Sequence, residues 1–270
     1  MEWKEQSLEI GTKKINYYSH TAGNKPAFIF LHGFMDNGMC YDRVAEQFVN
    51  AYDLYLIDAR GHGKSSEMPK NPTYLDLAQD VEDVCQQCGL TKVMVMGHSM
   101  GGVIAAKFAA QFPNRVKGVV LEDPGFYPRK NSVFVALACF GLSVIFRHSD
   151  NPPSMEAAIK RSKKLNSNWA ERDQLVWAAA QREFVQHYPS KNLRVIFSGA
   201  KADDIIPHIQ APILVVTSEK GIVKKKEAQR YKTLNPNLSW QYVPIAGHNI
   251  RREQFELLIG HIQGFLKTIN

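Results

Sequence analysis

The sequence predicts an α/β fold: a mostly parallel central sheet of about eight strands with helices on both faces, and a helical cap inserted after the sixth strand. Three observations predict it. Short β-rich runs alternate with stretches of helical period, the pattern of a parallel sheet covered on both sides. One segment, residues 124–210, breaks that alternation with helical stretches and no obvious sheet strand. With 270 residues, 44% of them apolar and 22% charged, the chain can bury one sizeable core without splitting.

The elements follow in order. Residues 8–18, with a turn at Gly11, read as an antiparallel hairpin at the sheet edge. Strands are expected at 27–31, 54–57, 93–96, 116–121, 213–217 and, with apolar and polar residues alternating, 240–243. Helices are expected at 41–49, 75–87, 100–112, 225–233 and 254–267. The core domain is then 1–123 with 211–270, and 124–210 is the cap. The cap holds an apolar run over 133–146, a basic helix near 155–165 and a helix over 169–187. No repeat or low-complexity linker separates it, so it is expected to pack on the sheet.

Composition removes several functions. The run 133–146 is interrupted by Ser143 and is too short to cross a bilayer. Residues 1–20 carry Glu2, Lys4, Glu5, Glu9, Lys13 and Lys14 where a signal peptide would be apolar, so a cytoplasmic protein without an integral membrane segment is expected. Four cysteines are too few for a disulfide framework, and no paired CxxC motif offers a zinc site, so no metal is expected. Cys85 and Cys88 read as neighbours on one helix face. The net charge of +7 arises in the second half: residues 1–123 carry 12 Lys and Arg against 15 Asp and Glu, residues 124–270 carry 21 against 11. The runs at 160–164 and 224–226 lack interleaved aromatics, so they read as solvated helix faces and no nucleic-acid partner is expected.

The chemistry centres on Gly97-His98-Ser99-Met100-Gly101-Gly102, which stands between a strand and a helix. This fits the G-x-S-x-G nucleophile elbow, a turn so tight that the serine is strained and exposed at a helix N-terminus, where developing negative charge is favoured. A serine hydroxyl needs a base to take its proton. Of nine histidines, His248 in Ala246-Gly247-His248-Asn249 follows the last strand and precedes the terminal helix, so it is the expected base. His98 should point away from the hydroxyl, and His62 in its glycine loop reads as structural. Two N–H groups must face the oxyanion: that of Met100, next to the nucleophile, and that of Phe34 in His32-Gly33-Phe34 after the first parallel strand.

With these residues assembled, the chain closely resembles the α/β-hydrolase fold superfamily over nearly its whole length outside the cap. The motifs that carry the resemblance are 32–34, Asp58-Ala59-Arg60-Gly61-His62-Gly63-Lys64-Ser65, 97–102 and Gly247-His248. They imply a cofactor-free serine hydrolase, and they fit many substrates. Haloalkane dehalogenases and epoxide hydrolases also resemble the chain, but they use an aspartate nucleophile where this sequence has Ser99. Asp58 and Arg60 match the family's structural turn.

The departure lies in the third triad member. The resemblance places the acid in the loop after 213–217, where Ser218-Glu219-Lys220-Gly221 has glycine at the expected aspartate. Certain lactonases and the haloalkane dehalogenases carry their acid after the preceding strand instead, about 24 residues beyond the nucleophile, and Asp123 stands there. Asp123 is the expected acid, with Glu219, Glu122 or a Ser-His dyad as alternatives. The expected activity is cleavage of a carboxylic ester or lactone, on a small and apolar substrate suggested by Phe126, Tyr127, Phe134, Phe140, Trp169 and the run 133–146. Two rivals are C–C bond hydrolysis of a vinylogous diketone by the same residues, and a slow ligand-sensing homologue, which the glycine at 221 favours.

Overall fold

Apolar β-rich runs at near-regular spacing build one sheet. A computed structural model describes residues 1–69, 72–126, 152–187 and 200–269. Its strands β1 (Lys4–Ile10), β2 (Lys13–His20), β3 (Ala27–Leu31), β4 (Asp53–Ile57), β5 (Val93–His98), β6 (Val116–Glu122), β7 (Ile213–Ser218) and β8 (Leu238–Val243) lie in the order β1-β2-β4-β3-β5-β6-β7-β8. β2 pairs antiparallel with β1 and β4, and every other pair is parallel. The expected hairpin is present, with Gly11 at φ 57, the positive φ that a two-residue hairpin loop asks of its first residue.

Successive side chains on a strand face opposite ways, and here both ways are apolar. On β3, Ala27, Ile29 and Leu31 join one core while Phe28 and Phe30 join the other; Val93 and Val95 of β5 oppose Met94 and Met96 in the same way. The first core is closed by α2 (Tyr74–Gln87), α3 (Met100–Gln111) and α6 (Lys225–Leu234), the second by α8 (Phe255–Thr268). The helix expected over 41–49 is instead a 3₁₀ turn, a short α1 (Asp42–Ala45) and a second 3₁₀ turn over Glu46–Phe48. Its apolar face, Tyr41, Val44, Ala45 and Phe48, keeps helical spacing and is buried, while the backbone alternates i→i+3 and i→i+4 bonds to follow the sheet.

Between β6 and β7 lie α4 (Met155–Leu165) and α5 (Glu171–His187), and the described part of this segment contains no strand. The run 133–146 and Tyr127, Phe134 and Phe140 lie outside the described residues. Ile205, Ile206 and Ile209, late in the segment, belong to the core. Lys160, Arg161, Lys163 and Lys164 form an exposed face of α4. Reciprocal ion pairs tie α5 to the chain after β3: Arg43 reaches Asp173 at 2.9 Å, and Arg172 reaches Asp42 at 2.8 Å and Glu46 at 2.7 Å. Among the described residues no helix is long and apolar enough to cross a membrane. The loops after β3, β5, β6, β7 and β8 gather at the carboxyl edge of the sheet, where open α/β sheets bind ligands.

Candidate active site

β5 ends at His98 and α3 begins at Met100, so Ser99 alone turns the chain. It does so at φ 51 and ψ −114, a conformation costly for any residue with a Cβ. The turn is held by hydrogen bonds from the Ser99 N–H to the Glu122 carbonyl (3.1 Å) and from the Val103 and Gly125 N–H groups to the Ser99 carbonyl (3.2 and 2.9 Å). The flanking glycines are required by contact. A Cβ on Gly97 would lie 2.1 Å from the Gly101 carbonyl oxygen, and one on Gly101 would lie 2.0 Å from that of Leu31.

His248 comes from the turn between β8 and α7 (Ile250–Glu253). That turn contains Ile245 at φ 54 and is fastened by Ser218 Oγ donating to the Gly247 carbonyl at 2.5 Å and by the Gly247 N–H donating to Glu253 at 2.7 Å. The imidazole Nδ1 lies 2.6 Å from Asp123 Oδ2. Asp123 follows β6 at φ 39, is fully buried, and accepts two further hydrogen bonds, from Ile222 N–H at 2.8 Å and Val223 N–H at 3.0 Å. Three partners on one carboxylate fix its direction. The loop after β7 thus supplies N–H groups to an acid borne by β6, and Gly221 in that loop leaves the room: a Cβ there would meet Asp123 Oδ2 at 2.6 Å.

The other candidate acids are turned elsewhere. Glu219 is exposed and accepts from Ile245 N–H at 3.1 Å. Glu122, one residue before Asp123 and so on the opposite face, accepts from Arg251 N–H at 2.9 Å and from the Tyr41 hydroxyl at 3.1 Å. Asp58 accepts from Gly38 N–H, Lys64 N–H and Asn16 Nδ2 at 2.6, 3.0 and 2.9 Å, which is turn architecture. His98 donates from Nε2 to the His248 carbonyl at 2.8 Å, and its ring centroid is 4.4 Å from that of His248. Burial holds its imidazole well below the ordinary pKa, with Arg251 and His248 adding to the effect, so it stays neutral.

Ser99, Met100, His248 and Phe34 line one cavity of about 270 Å³ with Met35, Asp36, Tyr74, Trp177, Gln181, Asn249 and Arg252 among its other walls. Met100 opens α3, so its N–H is one of the helix's first four and has no i−4 carbonyl to bind. Gly33 brings the other loop against the elbow: a Cβ there would be 3.5 Å from Ser99 Cβ and 2.6 Å from His98 Nδ1. Asp36 N–H to the Gly33 carbonyl (3.2 Å), with Met35 at φ 66, closes the turn that carries Phe34. α5 packs on it, Phe184 edge-on to Phe34 at 4.9 Å and Gln181 donating to the Met35 carbonyl at 2.7 Å. Among the described residues no group of three His, Cys, Asp or Glu could hold a metal ion.

The sequence reading missed the polar wall of this cavity. Arg251 and Arg252 are buried on Asp36, at 2.7 and 2.8 Å. Burial pushes the Asp36 carboxyl up, but the two guanidinium groups outweigh it and hold it below the usual carboxylate range. Two adjacent arginines carry no sign of burial in the sequence, and only their position directly after His248-Asn249 could have marked them.

A family model described as alpha/beta hydrolase fold matches residues 26–250. Epoxide hydrolase 1 of Caenorhabditis elegans is 22% identical over 98% of this chain and 70% of its own length. The pimeloyl-(acyl-carrier protein) methyl ester esterase of Chromobacterium violaceum is 34% identical over 40% of this chain and 40% of its own. Among solved structures, E-2-(acetamidomethylene)succinate hydrolase superposes with a TM-score of 0.78 at 18% identity, covering 98% of this chain and all of that one. An esterase from Thermogutta terrifontis gives 0.78 at 22% identity, covering 100% of this chain and 99% of its own.

Proposed function

The chain belongs to the alpha/beta hydrolase fold family, and from that premise we propose that it cleaves a carboxylic ester or lactone through an acyl-enzyme on Ser99. Ser99 Oγ attacks the carbonyl carbon while His248 Nε2 takes its proton. Asp123, on Nδ1, holds the ring in the tautomer that leaves Nε2 free to act and stabilises the imidazolium that forms. The N–H groups of Phe34 and Met100 receive the oxyanion. His248 then gives the proton to the leaving alcohol; a water deprotonated by the same nitrogen attacks the acyl carbon, and the acyl–Oγ bond breaks as His248 returns that proton to Ser99. The scheme needs no cofactor. The segment 124–210 serves as the cap over the site, and the protein works in the cytoplasm.

One observation carries the reading: a strained serine shares a cavity with a histidine whose Nδ1 is 2.6 Å from a buried carboxylate. Serine at the elbow favours acyl transfer over epoxide opening. The case for a slow ligand-sensing homologue rested on glycine at 221, and it weakens with a carboxylate in the space beside that glycine. C–C bond hydrolysis would use the same residues and is separated by substrate. The test is a fluorophosphonate probe, mapped by mass spectrometry, with p-nitrophenyl esters of increasing chain length, lactones and a vinylogous diketone assayed in parallel. Ser99 should carry the label, Ser99→Ala should lose both label and turnover, and a label elsewhere ends the proposal.

A further inference from the structure

Arg252 brings side-chain hydrogen-bond donors to the cavity beside Ser99. Arg252 lines it and is 3% exposed. Its guanidinium is fixed by Asp36, which accepts from Nη2 at 2.8 Å, and by the Trp169 ring, whose centroid is 4.6 Å from Cζ. Nη1 reaches Asn249 Oδ1 at 3.3 Å, and among the described residues Nε has no partner. A guanidinium carries five N–H donors, so most of this group's capacity is unspent.

Both oxygens of each nearby carboxylate are engaged. Asp36 takes Arg252 on Oδ1 and Arg251 on Oδ2, and Glu122 takes Arg251 N–H and side chain on Oε1 and Tyr41 on Oε2. Two buried acids are thus met by two buried arginines, and Arg252 keeps N–H donors beyond these contacts. An apolar chain filling the cavity would displace water from these donors and leave them unmet.

The geometry points to Arg252 as a recognition residue for a carboxylate carried by the substrate. This rests on the ester reading and narrows it: the substrate is an ester or lactone with an apolar body and one carboxylate, as in the half-ester of a dicarboxylic acid. A carboxylate accepts only, is planar and matches the guanidinium fork. Its single charge can share Arg252 with Asp36, whereas a phosphate dianion would bring a second negative charge against that buried acid.

The experiment compares p-nitrophenyl hydrogen adipate with p-nitrophenyl heptanoate, its neutral counterpart of similar length, in the wild type, Arg252→Gln and Arg252→Lys. In parallel, adipate and adipamide are titrated calorimetrically into each protein. The wild type should favour the charged ester at least tenfold in kcat/KM, mainly through KM, and bind adipate but not adipamide. Arg252→Gln should lose that ratio and the adipate heat, and Arg252→Lys should recover part of both. Turnover of the heptanoate without preference for the adipate ester, and no adipate heat, overturns the role of Arg252 and leaves the ester reading standing. Turnover of neither ester, with Ser99 unlabelled, removes the ester reading, and the adipate titration then decides the carboxylate site alone. Should Arg252→Gln fail to fold, the wild-type ratio and Arg252→Lys decide it.

Discussion

Gly221 and Asp123 occupy one space between them. A Cβ at residue 221 would lie 2.6 Å from Asp123 Oδ2 and 2.8 Å from Oδ1, so the missing side chain on the loop after β7 is what lets the carboxylate after β6 reach His248. The two positions form a matched pair, and neither is intelligible alone.

Asp123→Asn should therefore lower kcat by a factor of order 10⁴, the loss that the equivalent change produces in a serine protease triad by favouring the wrong tautomer. Gly221→Ala should also lower kcat, because its methyl group must displace the carboxylate or Ser218 Oγ, 2.7 Å away. Glu219→Gln should leave turnover near the wild-type level. Steady-state kinetics on one activated ester checks all three, and a large loss in Glu219→Gln with none in Asp123→Asn would refute the assignment.

Glycines at the elbow and in the last helix should respond in opposite directions. A methyl group at Gly101 meets the Leu31 and His32 carbonyl oxygens at 2.0 and 2.5 Å, both backbone, so Gly101→Ala should cost at least the upper part of the roughly 1–3 kcal/mol typical of overpacking. Gly260 and Gly264 in α8 have nothing within 4 Å of a built Cβ, and alanine there should stabilise by about 0.5–1 kcal/mol each. Urea denaturation measures both, and equal midpoints would mean the elbow contacts can relax.

Acid should destabilise the fold from just below pH 6.5. His62 and His98 are buried, and burial, the largest cause for each, holds both well below the ordinary value of 6.5. Above that value neither the folded nor the unfolded chain protonates them; below it only the unfolded chain does, so stability falls with pH by up to about 1.4 kcal/mol per unit for each. Asp36, held below its ordinary 3.8, stabilises the fold above that value, and its contribution is lost as pH drops further through its folded value. Unfolding free energies between pH 7.5 and 5 test this, and a flat profile would exclude neutral burial of the two histidines.

The ion pairs of Arg43 and Arg172 should matter more for substrate binding than for stability. Arg172 is 41% exposed in its side chain, and pairs of this kind contribute at most about 1 kcal/mol. They hold α5, which brings Trp177 and Gln181 to the cavity. Replacing both arginines by glutamine should raise KM, and added salt should raise KM in the wild type but little in the variant. A salt response unchanged by the substitutions would show that α5 is held by packing alone.

The strands, the major helices and the elbow were legible because each depends on local pattern. The alternation of apolar runs with helical period marked β3 to β8, and the glycines around Ser99 announced a turn that contact distances explain. The broken helix at 41–49 was not legible, since its apolar face has correct helical spacing and only docking on the sheet decides which hydrogen bonds close. Neither was the polar cavity wall, because two arginines in sequence carry no mark of burial.

The sequence by itself determined the fold class, the serine at the elbow and the histidine before the last helix, since these follow from periodicity and from residues a few positions apart. It could name Asp123 only beside Glu219 and Glu122. The choice among carboxylates, and the meeting of Arg252, Asp36 and Ser99 around one cavity, depend on groups brought together from distant parts of the chain. Residues 123 and 221 are joined by the register of β6 against β7, and a pairing of that kind exists only once the sheet has formed.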